Sequence, residues 1–329
     1  MNSELPTFNY LEQFFSYFAG IKERTPRTIR EYRYDLILFF RFIKYLKQKG
    51  MPKKAEDLDN LDISDIDLAF IRTIELTEMY QFVSWLATVR KCGASARARR
   101  ISAIRSFFTY LTTKCKLLDN NPAQELELPK KTKQLPRYLT VDESTKLLAT
   151  VAQSNTKWNE RDFCILTLFL NCGLRLSELV GIDVTDIRED TLVVTGKGNK
   201  ERTIYLNDVC CQALNDLLSV RVPAKVPDSE ALFVSRNRQR ISVRAVQNLV
   251  KKYITSAGLD PKRYSTHKLR HTAATLMYQY GAVDLRSLQQ ILGHSSIATT
   301  EIYTHVNDDM LHKAVESNPL NQLRKDELK

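Results

Sequence analysis

The stretch Thr266–Val306 is dense in groups that handle phosphate. It reads THKLRHTAATLMYQYGAVDLRSLQQILGHSSIATTEIYTHV and carries His267, Arg270, His271, His294, Tyr303 and His305, so that four of the chain's 5 histidines fall within it. Imidazoles move protons, a guanidinium fork holds two phosphate oxygens, and a phenol can attack phosphorus. Each residue alone has an ordinary reading. A helix histidine is usually surface or core, an arginine is usually a solvated charge, and Tyr303 is one of 14 tyrosines. The spacing joins them. His267 and Arg270 stand three apart, about one turn along one helical face. Gly293 suits a helix that ends in left-handed backbone, with His294 just beyond it. Ser295 or Ser296 can cap a short helix leading to Tyr303. Such a set is suited to nucleophilic attack on a phosphodiester.

Two upstream stretches hold candidate partners. RDFCILTLFLNCG reads as a buried helix ending at Gly173, and Arg175 follows it in CGLRLSELVGI. An arginine this close to a core needs an anion. Glu178, three residues on, offers an internal salt bridge, and a substrate phosphate is the alternative. Residues 191–206, TLVVTGKGNKERTIYL, hold two β-rich runs around Gly196, Lys197, Gly198 and Asn199. That is a hairpin and not a phosphate loop, because the GxxxxGK[ST] spacing is absent. Lys197 or Lys200 could be a plain turn lysine.

HKLRH at 267–271, LGHSS at 292–296 and EIYTH at 301–305 resemble the box II motifs of the tyrosine recombinase (phage integrase) family, and GLRLSEL around Arg175 resembles its box I. The likeness is greatest to the Xer-type site-specific recombinases. The resemblance implies a nucleophilic Tyr303 that forms a 3′-phosphotyrosyl bond, with Arg175, Arg270 and His294 around the scissile phosphate. It implies His267 as the base and Lys197 as the acid, favoured over Lys200 by the G-K-G-x-K context, with Glu178 supporting the site. It also implies a Holliday junction and double-stranded DNA with inverted-repeat half-sites. Four protomers would act on two duplexes, as a homotetramer or as a heterotetramer with a related recombinase, with a DNA translocase or accessory protein as a further partner. The phosphotyrosyl bond preserves the bond energy, so no metal or other cofactor is expected. Xer-like chromosome dimer resolution is the expected role, and an integrase or excisionase of a phage or mobile element is the alternative. A type IB topoisomerase would share the chemistry without pairing two sites. A DNA-binding regulator that never cleaves is the reading from a different class. The compact amino terminus, with no arm-binding domain before about residue 8, favours the Xer layout.

Composition agrees with such a partner. The chain has 329 residues, 43% hydrophobic and 26% charged, with a net charge of +11. That basic excess suits a polyanion such as nucleic acid. The six cysteines (Cys92, Cys115, Cys164, Cys172, Cys210 and Cys211) show no paired CxxC spacing. They read as free thiols of a reducing compartment, with Cys164 and Cys172 packed as small apolar groups. No signal peptide and no span of bilayer length are evident, so a cytoplasmic protein without a membrane partner is expected.

The elements that must hold these groups can be read in outline. Thr25-Pro26 starts a helix whose apolar face is Ile29, Tyr32, Leu36, Phe39, Ile43 and Leu46, ended by Gly50 and Pro52. A second helix covers 77–88, with Tyr80, Val83, Leu86 and Ala87 inward. The segment 95–112 buries Ile101, Ile104, Phe108 and Leu111. Its other faces carry Arg99, Ser102, Ser106 and Thr109, flanked by Arg100 and Arg105, which suits either a DNA groove or a solvated basic surface. Three prolines and the run PKKTK in 121–140 mark a linker. Candidate DNA contacts are Arg97, Arg99, Arg100, Arg105, Lys130, Lys131 and Arg244, the last at the start of a helix over 243–257. Thr140 and Glu143 form a capping box.

The expected domains are residues 1–130, a linker 131–137, and residues 138–329. The resemblance implies a mainly α chain: a helical, SAM-like core-binding domain, then a mixed α/β catalytic domain with a small antiparallel sheet, together a C-shaped clamp. The tail beyond Tyr303 would dock on a neighbouring protomer or fold back on its own domain.

Overall fold

The computed structural model describes residues 7–23, 25–130, 137–196, 200–281, 283–293 and 300. The chain divides into two compact units, Met1–Lys133 and Gln134–Lys329.

The first unit is helical. α1 spans Asn9–Gly20 and α2 spans Pro26–Lys49. The Thr25 side chain accepts from the Thr28 amide, Pro26 opens the first turn of α2, and Gly50 ends it at φ 81. The short α3 (Leu68–Arg72) leads into α4 (Leu76–Thr88) and α5 (Ala94–Thr109), which continues as one π-helical turn, Tyr110–Lys114. Phe14, Phe39, Phe40, Phe42, Phe82, Trp85, Phe107 and Phe108 fill its core. Burial of these rings is the main stabilising term of the unit.

The face of α4 differs from the sequence expectation. Met79, Phe82, Trp85 and Leu86 point inward. Tyr80 is 42% exposed, and its hydroxyl donates to the Glu125 carbonyl. Two apolar stripes compete on this helix, and the one with the larger apolar rings, Phe82 and Trp85, is buried.

In the second unit, α6 (Val141–Ala152) begins at a reciprocal capping box between Thr140 and Glu143. α7 (Asn159–Cys172) is buried along nearly all its length and packs against three other helices of the unit. α8 (Leu176–Gly181) follows after a three-residue turn. β1 (Ile187–Arg188), β2 (Thr191–Thr195) and β3 (Glu201–Tyr205) form an antiparallel sheet in the order β1-β2-β3. The β2–β3 pairing runs from Thr191 opposite Tyr205 to Thr195 opposite Glu201. Leu192, Val194 and Ile204 turn one face of the sheet to the core, as strict alternation dictates.

The remaining helices are α9 (Asp208–Val220), α10 (Val243–Ser256), α11 (Thr266–Tyr280) and α12 (Leu285–Leu292). Cys164 and Cys172 are buried in this core, and the Cys172 thiol lies 3.7 Å from that of Cys210. Among the described residues no helix is long and apolar enough to cross a membrane.

Candidate active site

Where α7 stops determines where the first arginine stands. Gly173 takes the left-handed conformation, φ 60 and ψ 36. A Cβ there would lie 2.9 Å from Leu292 Cδ2, so both the backbone and the space call for glycine. The turn frees the Gly173 carbonyl, which accepts from Arg270 Nη1 at 2.6 Å. Leu174 is buried, and Arg175 then stands at the head of α8.

Glu178 gathers the cations. Its side chain is fully enclosed. Oε1 accepts from Arg175 Nη1 at 2.6 Å, and Oε2 accepts from the Arg175 amide at 2.7 Å and Arg202 Nη2 at 2.9 Å. Arg270 Nη1 stands 3.7 Å from the same Oε2. Burial works to raise the Glu178 pKa, but the Arg175 amide and the Arg202 and Arg175 guanidiniums outweigh it and hold the carboxyl below its usual range. Three guanidiniums around one carboxylate leave a local excess of positive charge.

The same arginines meet the carboxy end of α12. The carbonyls of Ile291, Leu292 and Gly293 accept from Arg202 Nη1, Arg270 Nη2 (2.6 Å) and Arg175 Nη2 (2.6 Å) respectively. These are carbonyls without helical partners at the negative end of the helix dipole, a natural place for cations. Gly293 is left-handed, φ 63, and His294 follows it in the chain. Arg270 is 4% exposed. The Arg175 side chain keeps 33% of its surface open, so it is the more accessible fork.

The hairpin reaches the same point. The Gly196 amide donates to the Lys200 carbonyl at 2.8 Å, which closes the strands. A Cβ on Gly196 would lie 3.5 Å from Glu178 Oε1 and 3.9 Å from Arg175 Nη1. On α11, His267 Nε2 sits 3.1 Å from His271 Nε2. Partial desolvation of the ring, then Arg270 and Lys268, hold His267 below the usual imidazole value. Arg175, Glu178 and Arg270 are thus brought together, with His267 one turn before Arg270. Lys197, His294, Tyr303 and Lys131 lie outside the described residues.

The basic candidates of the first unit differ in their surroundings. Arg99 contacts Glu31 at 2.5 Å and Asp35 at 3.1 Å, and Arg100 Nε lies 3.4 Å from Asp35. Asp35 is itself enclosed, and burial pushes its carboxyl up to about 6 against the pull of Arg100 and Arg99. Arg97 donates to the Cys92 carbonyl. Arg105 and Lys130 are exposed, as is Arg244 in the second unit.

The sequence offers His271 without a role and does not by itself set Arg202 or Asp35 apart as site residues. His271 had a signal in its i, i+4 spacing from His267. Asp35 had one too, as an acid on the apolar face of α2. Arg202 had none, since its partners lie far off in sequence.

Residues 137–310 match the Phage integrase family, and residues 11–114 match the Phage integrase, N-terminal SAM-like domain. The chain is 52% identical over 312 residues to the tyrosine recombinase XerC of Caldanaerobacter subterraneus subsp. tengcongensis, covering 95% of this chain and 87% of that one. It is 35% identical over 306 residues to the tyrosine recombinase XerC of Thermodesulfovibrio yellowstonii, covering 91% and 92%. Its fold is similar to that of XerH site-specific recombinase bound to a palindromic difH substrate, with a TM-score of 0.68 at 20% identity over 94% of each chain. A lambda integrase dimer bound to a COC′ core site is similar at a TM-score of 0.64 and 17% identity, covering 88% of this chain and 95% of that one.

Proposed function

The chain belongs to the phage integrase family of tyrosine site-specific recombinases, and from that premise we propose that it cuts and rejoins duplex DNA through Tyr303. The observation that carries the reading is the meeting of Arg175 and Arg270, from separate helices, beside one enclosed carboxylate. A pentacoordinate phosphorane concentrates negative charge on the non-bridging oxygens, and fixed guanidinium forks stabilise that charge as it develops.

In this reading Tyr303 Oη bonds to the scissile phosphorus and the bond from phosphorus to the 5′ oxygen breaks. The phenolic proton passes to His267, and Lys197 protonates the departing 5′ oxygen. In the tautomer in which His267 Nε2 donates to His271, Nδ1 is its basic nitrogen. His294 adds a donor to the phosphate. One phosphodiester is exchanged for another, and the 5′ hydroxyl of a partner strand reverses the step to give a Holliday junction.

The similarity to XerC proteins along nearly the whole chain favours an Xer role, chromosome dimer resolution, over a mobile-element integrase. The active species would be a tetramer on two duplexes with inverted-repeat half-sites, formed from copies of this chain or together with a related recombinase. The amino-terminal unit would bind the core DNA. Exposed Arg105, Lys130 and Arg244 would reach phosphates, with Lys131 in the linker.

Covalent capture tests the proposal. The protein is incubated with fragmented genomic DNA in EDTA, denatured, and assayed for protein-linked strands beside Tyr303→Phe. Wild-type capture that vanishes in the variant is the expected result, and sequencing the captured strands gives the site. Capture that survives Tyr303→Phe would mean a different nucleophile.

A further inference from the structure

We infer that Arg202 is a positioning residue of this active site, one that locks the hairpin, α8 and the end of α12 into a single frame around Arg175. The inference rests on the proposed role of Arg175 and Arg270 at the scissile phosphate, and it assigns Arg202 no contact with DNA.

Arg202 lies on β3 opposite Val194. Its Nη2 donates to Glu178 Oε2 at 2.9 Å and its Nη1 to the Ile291 carbonyl. One planar fork therefore spans a carboxylate on α8 and a helix end on α12. Gly293 lies flat against the stem of the fork. A Cβ there would be 2.7 Å from Arg202 Cδ and 2.9 Å from Nε. Its side chain is only 14% exposed, and Nε is buried with no hydrogen-bond partner. A buried donor left unmade is costly, and the inward aim of this fork removes it from any phosphate.

The position matters because of what adjoins each anchor. Glu178 is the carboxylate that holds Arg175. Gly293 gives its carbonyl to Arg175 Nη2 and precedes His294 in the chain. Gly196, beside the same cluster, precedes Lys197. Arg202 also acts through charge. By taking a share of Glu178 it leaves Arg175 and Arg270 less fully neutralised. Without it, Oε2 would draw in Arg270, now 3.7 Å away, and the forks would turn from substrate toward the protein.

The test is single-turnover formation of the covalent complex on a duplex bearing the captured site, with DNA affinity measured separately. Arg202→Ala is expected to slow covalent complex formation by about 10²-fold, the effect of a misplacement of about 1 Å, while affinity is unchanged. Arg202→Lys keeps the charge but not the fork, so its rate should fall between the two. Should the alanine variant fail to fold, the lysine variant carries the test alone. Wild-type rates in the variants that fold, or a loss of affinity that matches the loss of rate, would overturn the inference. Tyr303→Phe on the same duplex separates the two questions. Normal Arg202 variants beside a dead Tyr303→Phe refute only the role of Arg202, whereas capture by Tyr303→Phe refutes the nucleophile.

Discussion

The rings of His267 and His271 meet at 76° with centroids 4.5 Å apart and their Nε2 atoms 3.1 Å apart. Two imidazoles in this contact share one proton, and protonating both breaks the bond. Partial desolvation, Arg270 and Lys268 hold His267 below its usual 6.5. A native pKa below the unfolded value means that the native state binds fewer protons. The stability this histidine contributes is present above pH 6.5 and is lost as pH falls from there through the native value. With His267 as the base, the acid limb of the cleavage profile should lie below pH 6.5, and Lys268→Ala, which removes one of the cations holding the ring down, should move it upward. Single-turnover rates from acid to neutral pH measure this, and an unmoved limb in Lys268→Ala would count against His267 as the base.

Glu178 should matter most for stability in the second unit. Glu178→Gln leaves Arg175, Arg202 and Arg270 crowded around a neutral amide. Breaking one side of a buried ionic cluster costs about 3–5 kcal/mol. Its carboxyl is held below the usual 4.5, so its contribution is present above that pH and is lost as pH falls through the lower native value. Melting temperatures of wild type and Glu178→Gln should differ widely near neutrality and converge in acid. Parallel curves would show that the charge is not what Glu178 supplies.

Much of the scaffold was legible because its signals are local. Thr25-Pro26 capped α2, Thr140 and Glu143 boxed α6, Gly173 and Gly293 ended α7 and α12, and the two β-rich runs paired across residues 196–200. Where two stripes competed, as on α4, periodicity chose Tyr80 and packing chose Met79 and Trp85. The candidate site was less legible. Arg175 and Glu178 are three residues apart, so their pairing could be weighed from sequence. The bonds from Arg202 to Ile291, from Arg270 to Gly173 and from Arg175 to Gly293 join distant residues. Nothing in local spacing announces them; they exist because α7, α11 and α12 pack as they do. Asp35 shows the same limit in the first unit, where burial makes an acid beside Arg99 and Arg100 a structural anchor.

Gly173→Ala should damage both fold and chemistry. The position needs φ +60, and its Cβ would meet Leu292 Cδ2 at 2.9 Å. The left-handed conformation alone costs an L-residue about 1–2 kcal/mol. The strain falls where the Gly173 carbonyl holds Arg270, so covalent capture should drop along with the melting temperature. Gly20→Ala is the control, since nothing lies within 4 Å of a Cβ at that helix end. Equal melting temperatures for the two variants would contradict the packing argument.

The basic residues should separate by their salt dependence. Arg244 is exposed at the start of α10, and if it meets a phosphate, Arg244→Ala should flatten the slope of log affinity against log salt by about 0.9. Arg99 is held by Glu31 and Asp35 inside the first unit, so Arg99→Ala should leave that slope nearly intact and lower stability instead. The pH dependence of that loss follows from Asp35. Its carboxyl is raised by burial to about 6, so its favourable contribution is fully present below the unfolded value and disappears as pH rises through about 6. Removing Arg99 takes away a cation that offsets the ionised form, and the drop in melting temperature should therefore be larger at pH above 6 than below it. Anisotropy titrations at several salt concentrations and melts on both sides of that pH give the two readings. A full loss of about 0.9 in slope with unchanged melting would make Arg99 a phosphate contact and leave Arg100 alone to anchor Asp35.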